Sequence, residues 1–183
     1  MVYIPSISEF LDAGTILEKA GIGADMTVAD FGCGSSGYFS IEAAKRVGKN
    51  GTIYAVDILK PTLEAVQSKA RLIGLKNVKT VWANLEKYNS TKIPDYTVDV
   101  VLIKNMLWQS RNHAEVIKEA ERILKPGGKI LVVEWKKNAS PVGPPIAHRV
   151  DRSEVEKLAL QFNWKEVKYL DLGTYYYGLI FSK

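Results

Sequence analysis

Five short apolar runs, 26–31, 52–56, 78–82, 98–103 and 129–135, are spaced along most of the chain. Most are separated by amphipathic stretches of helical length. This alternation constrains the fold more than any other feature. Runs so short and so uniformly apolar suit strands buried on both faces, the position of central strands in a parallel sheet. Parallel neighbours need crossovers, and the intervening stretches supply them as helices. One helix is predicted over 6–20, opened by the capping box Ser6-Ile7-Ser8-Glu9. A second spans 36–47 and stops at Gly48. A third starts at Pro61 and ends at Gly74, with Leu59, Leu63, Val66, Ala70 and Ile73 on one face. A fourth buries Val116, Ile117, Ala120, Ile123 and Leu124, and Lys125-Pro126-Gly127-Gly128 ends it before the fifth strand. The polar stretch 84–95 reads as a loop. The capping box Ser153-Glu154-Val155-Glu156 opens a last helix with Val155, Leu158, Ala159 and Phe162 inward. Two strands, 165–170 and 175–181, follow, and their short connection makes them antiparallel. The prediction is an α/β fold with a doubly wound, mostly parallel sheet and helices on both faces.

Composition narrows the class. At 183 residues the chain is read as one domain, 1–183, with an N-terminal helical segment over 1–24 and a core over 25–183. Its one cysteine, Cys33, excludes an internal disulfide framework and any zinc site built from several thiolates, and no metal is expected. No apolar run approaches the ~18 residues of a membrane span. The N-terminus lacks a basic segment followed by an apolar one, so a cytoplasmic protein away from the membrane is expected. The 25 Lys+Arg against 20 Asp+Glu leave a net charge of +5, with the two signs interspersed. That is a mildly positive solvated surface; a nucleic-acid partner is permitted but not signalled.

On a doubly wound sheet, ligands bind beyond the carboxyl ends of the strands. After the first strand stands Asp30-Phe31-Gly32-Cys33-Gly34-Ser35-Ser36-Gly37, a G-x-G-x-x-G pattern, and Asp57 follows Gly37 by twenty residues at the end of the second strand. By spacing alone this fits a dinucleotide fingerprint. Asp30 argues otherwise, because a carboxylate beside the glycines repels a pyrophosphate and suits a ligand bearing an ammonium. S-adenosylmethionine carries one, together with a sulfonium. The glycines let backbone approach such a ligand closely, and the two oxygens of Asp57 match the two ribose hydroxyls.

These segments carry a resemblance. VADFGCGSSGYFS (28–40), IYAVDI (53–58), VDVVLIKNMLWQ (98–109) and EAERILKPGGKILVVEW (119–135) are similar to those of class I S-adenosylmethionine-dependent methyltransferases. The ending, 150–183, resembles small prokaryotic members related to the ubiquinone/menaquinone C-methyltransferase group. The resemblance implies a Rossmann-like seven-stranded sheet of order 3-2-1-4-5-7-6 with strand 7 antiparallel. It implies that Asp30, Gly32, Cys33 and Gly34 hold the methionyl end, Asp57 the ribose, and Ile58, Asn84 and Leu85 the adenine side. Lys104 is implied to touch the methionine through its backbone. Two positions depart from the family pattern: Asn84 stands where Asp is frequent, and Ser36 where a glycine is.

Methyl transfer from a sulfonium is an in-line displacement that needs alignment and dryness more than a metal or base. Asn105, Trp108 and His148 are the candidates on the acceptor side, with Trp135 and Tyr88 near them. His113, beside a helix start, reads as a surface or capping residue. The Pro-Gly loop 140–149 is a candidate lid that presents His148 or Arg149. An Asn/Asp-Pro-Pro-aromatic motif for exocyclic amines is absent, Cys33 lies in the cofactor loop, and arsenite chemistry lacks its thiols. The expected acceptor is a protein side chain or a small molecule such as a quinone, ahead of RNA, and a homo-oligomer is permitted. Two rival readings are a nicotinamide-dependent oxidoreductase and a non-catalytic cofactor-binding scaffold.

Overall fold

Parity along the strands places the core. In the computed structural model, which describes residues 11–138, 140 and 142–183, alternate strand residues divide between two apolar layers. Val28, Ile53, Ala55, Val100, Leu102, Leu131 and Val133 face one layer. Ala29, Phe31, Val56, Val101, Ile103, Ile130 and Val132 face the other. The strands are β1 (Thr27–Phe31), β2 (Thr52–Asp57), β3 (Val78–Trp82), β4 (Val98–Lys104), β5 (Leu124–Trp135), β6 (Lys165–Leu172) and β7 (Tyr176–Ser182). They form one seven-stranded sheet, ordered β3-β2-β1-β4-β5-β7-β6. β1 pairs parallel with β2 and β4, β2 with β3, and β4 with β5. β7 runs antiparallel to both β5 and β6. The expected topology is therefore the observed one.

Helices cover both layers. α1 (Ala13–Lys19), α2 (Tyr38–Val47) and α3 (Lys60–Leu72) pack on the first, and α4 (His113–Ile123) and α5 (Arg152–Gln161) on the second. The predicted capping box at Ser6–Glu9 lies outside the described residues. Within them, α1 starts after Asp12, whose carboxylate accepts from Gly14 N and Thr15 N. α2 begins at Tyr38 rather than Ser36, because Gly37 takes a left-handed φ of 54° as its N-cap. Leu59 and Ile73 are exposed, not part of the α3 stripe, because they are the caps that flank the helix. The last capping box is Asp151 with Glu154, two residues earlier than expected, since Asp151 has the extended backbone that an N-cap needs.

The fifth strand also differs from its prediction. Its ladder opens at Leu124, opposite Val98, then slips, so that Lys129 pairs with Val100. Lys125–Gly128 is thus a bulge inside the strand and not a turn ahead of it. At the far edge, β6 carries exposed Lys165, Glu166 and Lys168 and a register shift, features that discourage edge pairing.

Candidate cofactor and active site

The β1–α2 turn is shaped by its glycines. Gly32, Gly34 and Gly37 all have positive φ. A Cβ on Gly37 would stand 2.9 Å from Val66 Cγ2, so this glycine lets α3 approach the turn. A Cβ on Gly34 would meet nothing within 4 Å. Its free face opens on a cleft of 560 Å³, lined by Gly32, Gly34, Asp57, Ile58, Asn84 and Leu85 among others. A second lobe of 360 Å³ adjoins it, lined by Cys33, Ser35, Tyr38, Phe39 and Lys104. Gly32, Gly34, Ser35, Asn105 and Gln109 border both lobes. Volumes of this order suit a nucleoside with a short tail. The open face of Gly34 also fits close approach by an adenosyl and methionyl group.

Eight of the nine residues that the resemblance assigns to the cofactor therefore line one two-lobed cleft. Asp57 accepts from Leu59 N through Oδ1 (3.0 Å) and from Gly34 N (3.2 Å) and Cys33 Sγ (4.0 Å) through Oδ2, leaving a lone pair on Oδ1. Ile58 is 51% exposed and free to pack on a flat ring. Asn84 Oδ1 already accepts from Glu86 N (3.0 Å), an Asx turn that fixes the amide's orientation. Burial pushes the Cys33 thiol well up, so it stays protonated.

Asp30 is the ninth, and it lies beneath the lobes. It is fully buried, with Ser40 Oγ donating to Oδ2 and Lys104 Nζ paired with Oδ1, both at 2.6 Å. The carboxylate is neutralised inside the protein and not presented to the cleft. Its repulsion of a pyrophosphate, the ground on which the sequence reading separated the two ligand classes, is correspondingly weakened. Lys104 borders the smaller lobe, and its buried side chain reaches Asp30 and Gly32 O (3.2 Å). Strand parity explains the meeting: Asp30 pairs with Leu102, and Lys104 is two residues on, on the same face.

The acceptor-side candidates separate. Asn105 borders both lobes, in a left-handed conformation (φ 50°), and its Nδ2 donates to Tyr176 Oη (3.3 Å). Its Oδ1 is buried without a hydrogen-bond partner among the described residues. Trp108 is half-buried and packs against both core layers. His148 is exposed and lines neither lobe. Arg149 is not offered to an acceptor. Its buried guanidinium donates to the carbonyls of Pro144, Lys136, Asn138 and Val142 and lies over the Trp135 ring, where it locks the loop down. A Cβ on Gly143 would stand 2.8 Å from that ring, so loop and ring are in close contact. The described part of 140–149 is a clasp on Trp135, not a flap over the cleft. Trp135 itself is core, packed against Tyr176 with ring centroids 4.3 Å apart and the planes tilted by 38°. Tyr88 is exposed, with Lys118 Nζ 5.0 Å from its ring centroid. His113 starts α4 and its Nε2 meets Leu107 O at 2.9 Å.

Sequence reasoning missed the residues that build the wall around Asn105. Gln109, bordering both lobes, donates to Asn105 O (2.9 Å). Glu134, fully buried on β5, accepts from Met106 N (2.9 Å) and Leu107 N (2.7 Å), fixing the 3-10 turn Leu107–Gln109. Glu86 accepts from Ser110 Oγ and Arg111 N, which tie that turn to the β3 side of the cleft; the Arg111 N–H and Ser110 hydroxyl hold its carboxyl below the usual range. One signal existed for Glu134, a lone acid at the end of an otherwise apolar strand. None existed for Gln109 or Glu86, whose roles depend on where two loops meet.

The sequence profile of a family described as a methyltransferase domain matches residues 22–170. The ubiquinone/menaquinone biosynthesis C-methyltransferase UbiE of Citrobacter koseri is 31% identical over 136 residues, 74% of this chain and 51% of that protein. The chain thus spans about half the length of the curated relatives it matches. A solved S-adenosylmethionine-dependent methyltransferase from Aquifex aeolicus superposes with a TM-score of 0.88 at 26% identity, covering 97% of this chain and 93% of that one. The [4+2]-cyclase SpnF shares the fold, with a TM-score of 0.79 at 16% identity, covering 93% of this chain and 79% of its own. Among the described residues no helix is long and apolar enough to cross a membrane. On the domain match, the chain belongs to the class I S-adenosylmethionine-dependent methyltransferase family.

Proposed function

We propose that this protein methylates a small, largely apolar acceptor whose reacting atom is already nucleophilic. The observation that carries the reading is the junction of the two lobes. Gly32, Gly34, Ser35, Asn105 and Gln109 border both, and none has a titratable side chain. S-adenosylmethionine, when bound, supplies an activated methyl on a sulfonium. The chain's part is then to align and to exclude water. Asp57 holds the ribose, Ile58 packs on the adenine, and Asn84 and Leu85 wall its far side. Asn105 and Gln109 set the approach of the acceptor. The aromatic residue Tyr38, at the border of the smaller lobe, favours a flat or greasy acceptor. The UbiE relatives, named for C-methylation in quinone biosynthesis, point the same way. The lone free Cys33 suits the reducing cytoplasm, where we place the reaction.

The test is transfer from methyl-labelled S-adenosylmethionine into cell extract, followed by separation into organic-soluble, protein and RNA fractions. Label in the organic-soluble fraction is expected. Label confined to the protein pellet would replace the small acceptor with a side chain. Cofactor binding with no label in any fraction would turn the reading into the scaffold.

A further inference from the structure

We propose that the β3 edge of the sheet docks an extended acidic segment of a partner protein, which pairs with β3 as a further strand and seats its side chains in the groove beside α3. β3 ends the sheet, with β2 on one side and its other side open. Asn77 O accepts from Ile53 N (2.9 Å) just before the strand, and Ala83 N donates to Asp57 O (3.1 Å) just after it. Backbone groups that face the same way recur at every second residue. Lys79 and Val81 therefore face β2, and Val78, Thr80 and Trp82 turn their N–H and C=O groups outward. Such a row is a template for another strand. The opposite edge, β6, is guarded by exposed charges and a register shift. β3 carries one charged side chain, Lys79, and an unbroken register.

The same alternation sends Thr80 and Trp82 toward α3, where they line a groove of 410 Å³ with one stripe of that helix. Lys60 and Arg71 mark its ends, and neither is in an ion pair among the described residues. The helical rise between them is about 16 Å, close to the span of five extended residues. Trp82 is 56% exposed, yet its Nε1 donates to Ile58 O (2.8 Å), which holds the ring in place. Lys60 Nζ lies 5.6 Å from the centroid of that ring. Glu64, Gln67 and Ser68 lie between the two cations, so the middle of the groove suits a neutral side chain. A segment with acids at its first and fifth residues and an apolar third puts all three on the groove face, since alternate residues share a side. Charge favours such a partner over a second copy of this chain. Residues 38–82 hold eight Lys or Arg against three Asp or Glu, a net charge equal to the +5 of the whole chain. Two copies meeting here repel, whereas an acidic segment is drawn in.

The test follows the backbone amide NMR shifts of the full chain during titration with the end-capped peptide Ser-Glu-Thr-Leu-Thr-Glu-Ser. Saturable movement of the Val78, Thr80 and Trp82 amides is expected. A peptide with Lys in place of both Glu is expected to bind about tenfold more weakly, the loss of two exposed ion pairs. The Lys60→Glu/Arg71→Glu double variant is expected to reverse that preference. Thr80→Pro removes one outward N–H and spares the β2 ladder, as proline on an edge strand can. Checked for an unchanged thermal transition, it is expected to lose the peptide. Two peptides N-methylated on alternate residue sets make the same test without altering the protein: the set that faces β3 should fail to bind and the other should bind. No saturable shift at these amides, equal binding of the Glu and Lys peptides, or indifference to N-methylation overturns the proposal. Shifts there that grow with protein concentration alone would give the edge to a second copy. Shifts caused by a uridine decamer and not by the peptide would give it to nucleic acid. Either result overturns the proposal as well.

Discussion

Single residues of the cleft carry separable tasks. Gly34 has φ +67° and an empty space where a Cβ would stand, so it combines a backbone requirement with an opening for ligand. Gly34→Val should cost about 1–2 kcal/mol from the left-handed backbone alone. It should also abolish binding of S-adenosylhomocysteine, because the side chain projects into the cleft. Denaturant unfolding together with calorimetry checks both, and retained binding would mean that the ligand lies elsewhere. Glu134 has a different task. Burial pushes its carboxyl up to about 8, against the opposing pull of the Leu107 and Met106 N–H groups. The folded state therefore holds a proton that the unfolded chain, near the ordinary 4.5, has released. The stability tied to that proton is complete below about 4.5 and is lost as pH rises through about 8. Glu134→Gln keeps an acceptor for the two N–H groups and should flatten the decline in stability across that window. Urea midpoints measured at several pH values decide it; an unchanged slope would assign the pH dependence to other groups.

Among elements, the polar segment between β3 and β4 shows how a loop becomes a wall. Glu119 is 0% exposed on α4, and it accepts from Asn89 N, Thr91 N, Thr91 Oγ1 and two nitrogens of Arg122. Arg122 reaches on to Ile93 O and Asp95. Burial pushes the Glu119 carboxyl up, but the bonds from Arg122 and Thr91 outweigh it and hold it below the usual range. The stability of this knot is thus present above the ordinary carboxylate pKa and is lost as pH falls through the lowered one. Arg122→Ala should cost about 3–5 kcal/mol, since it leaves a buried carboxylate without its partner. The Arg122→Met/Glu119→Leu pair should cost distinctly less. Denaturant unfolding of the two variants gives the comparison, and equal losses would show that the loop contacts matter more than the charge. In the sequence, EAERILKPGG was legible as a family segment and its Ile123 and Leu124 as core. The target of its Glu and Arg was not, because that target is a loop about thirty residues away.

At the scale of the whole molecule, the cleft is held by the ends of β1, β2, β3 and β4, so binding should be felt by the entire sheet. A ligand present at 100 times its Kd adds about 2.7 kcal/mol to folding. For a domain of this size that corresponds to a midpoint rise of about 5–10 °C. S-adenosylhomocysteine is expected to give that rise and NAD none. Stabilisation by NAD alone would revive the oxidoreductase reading, which the domain match and the Aquifex superposition set aside. The sequence by itself determined the alternation of strands and helices, the antiparallel closing pair and the glycine turn beside Asp57. Each of these depends on local periodicity or on local backbone demand, and such information is written within a few neighbouring residues. Only the tertiary structure decided that Asp30 is sealed beneath Lys104, that Glu134 fixes the turn carrying Gln109, and that Arg149 clasps its own loop. Those outcomes depend on lateral register between strands and on which loops meet at the sheet's carboxyl edge. A buried charge takes whichever partner that packing brings within reach, and no spacing along the chain encodes it.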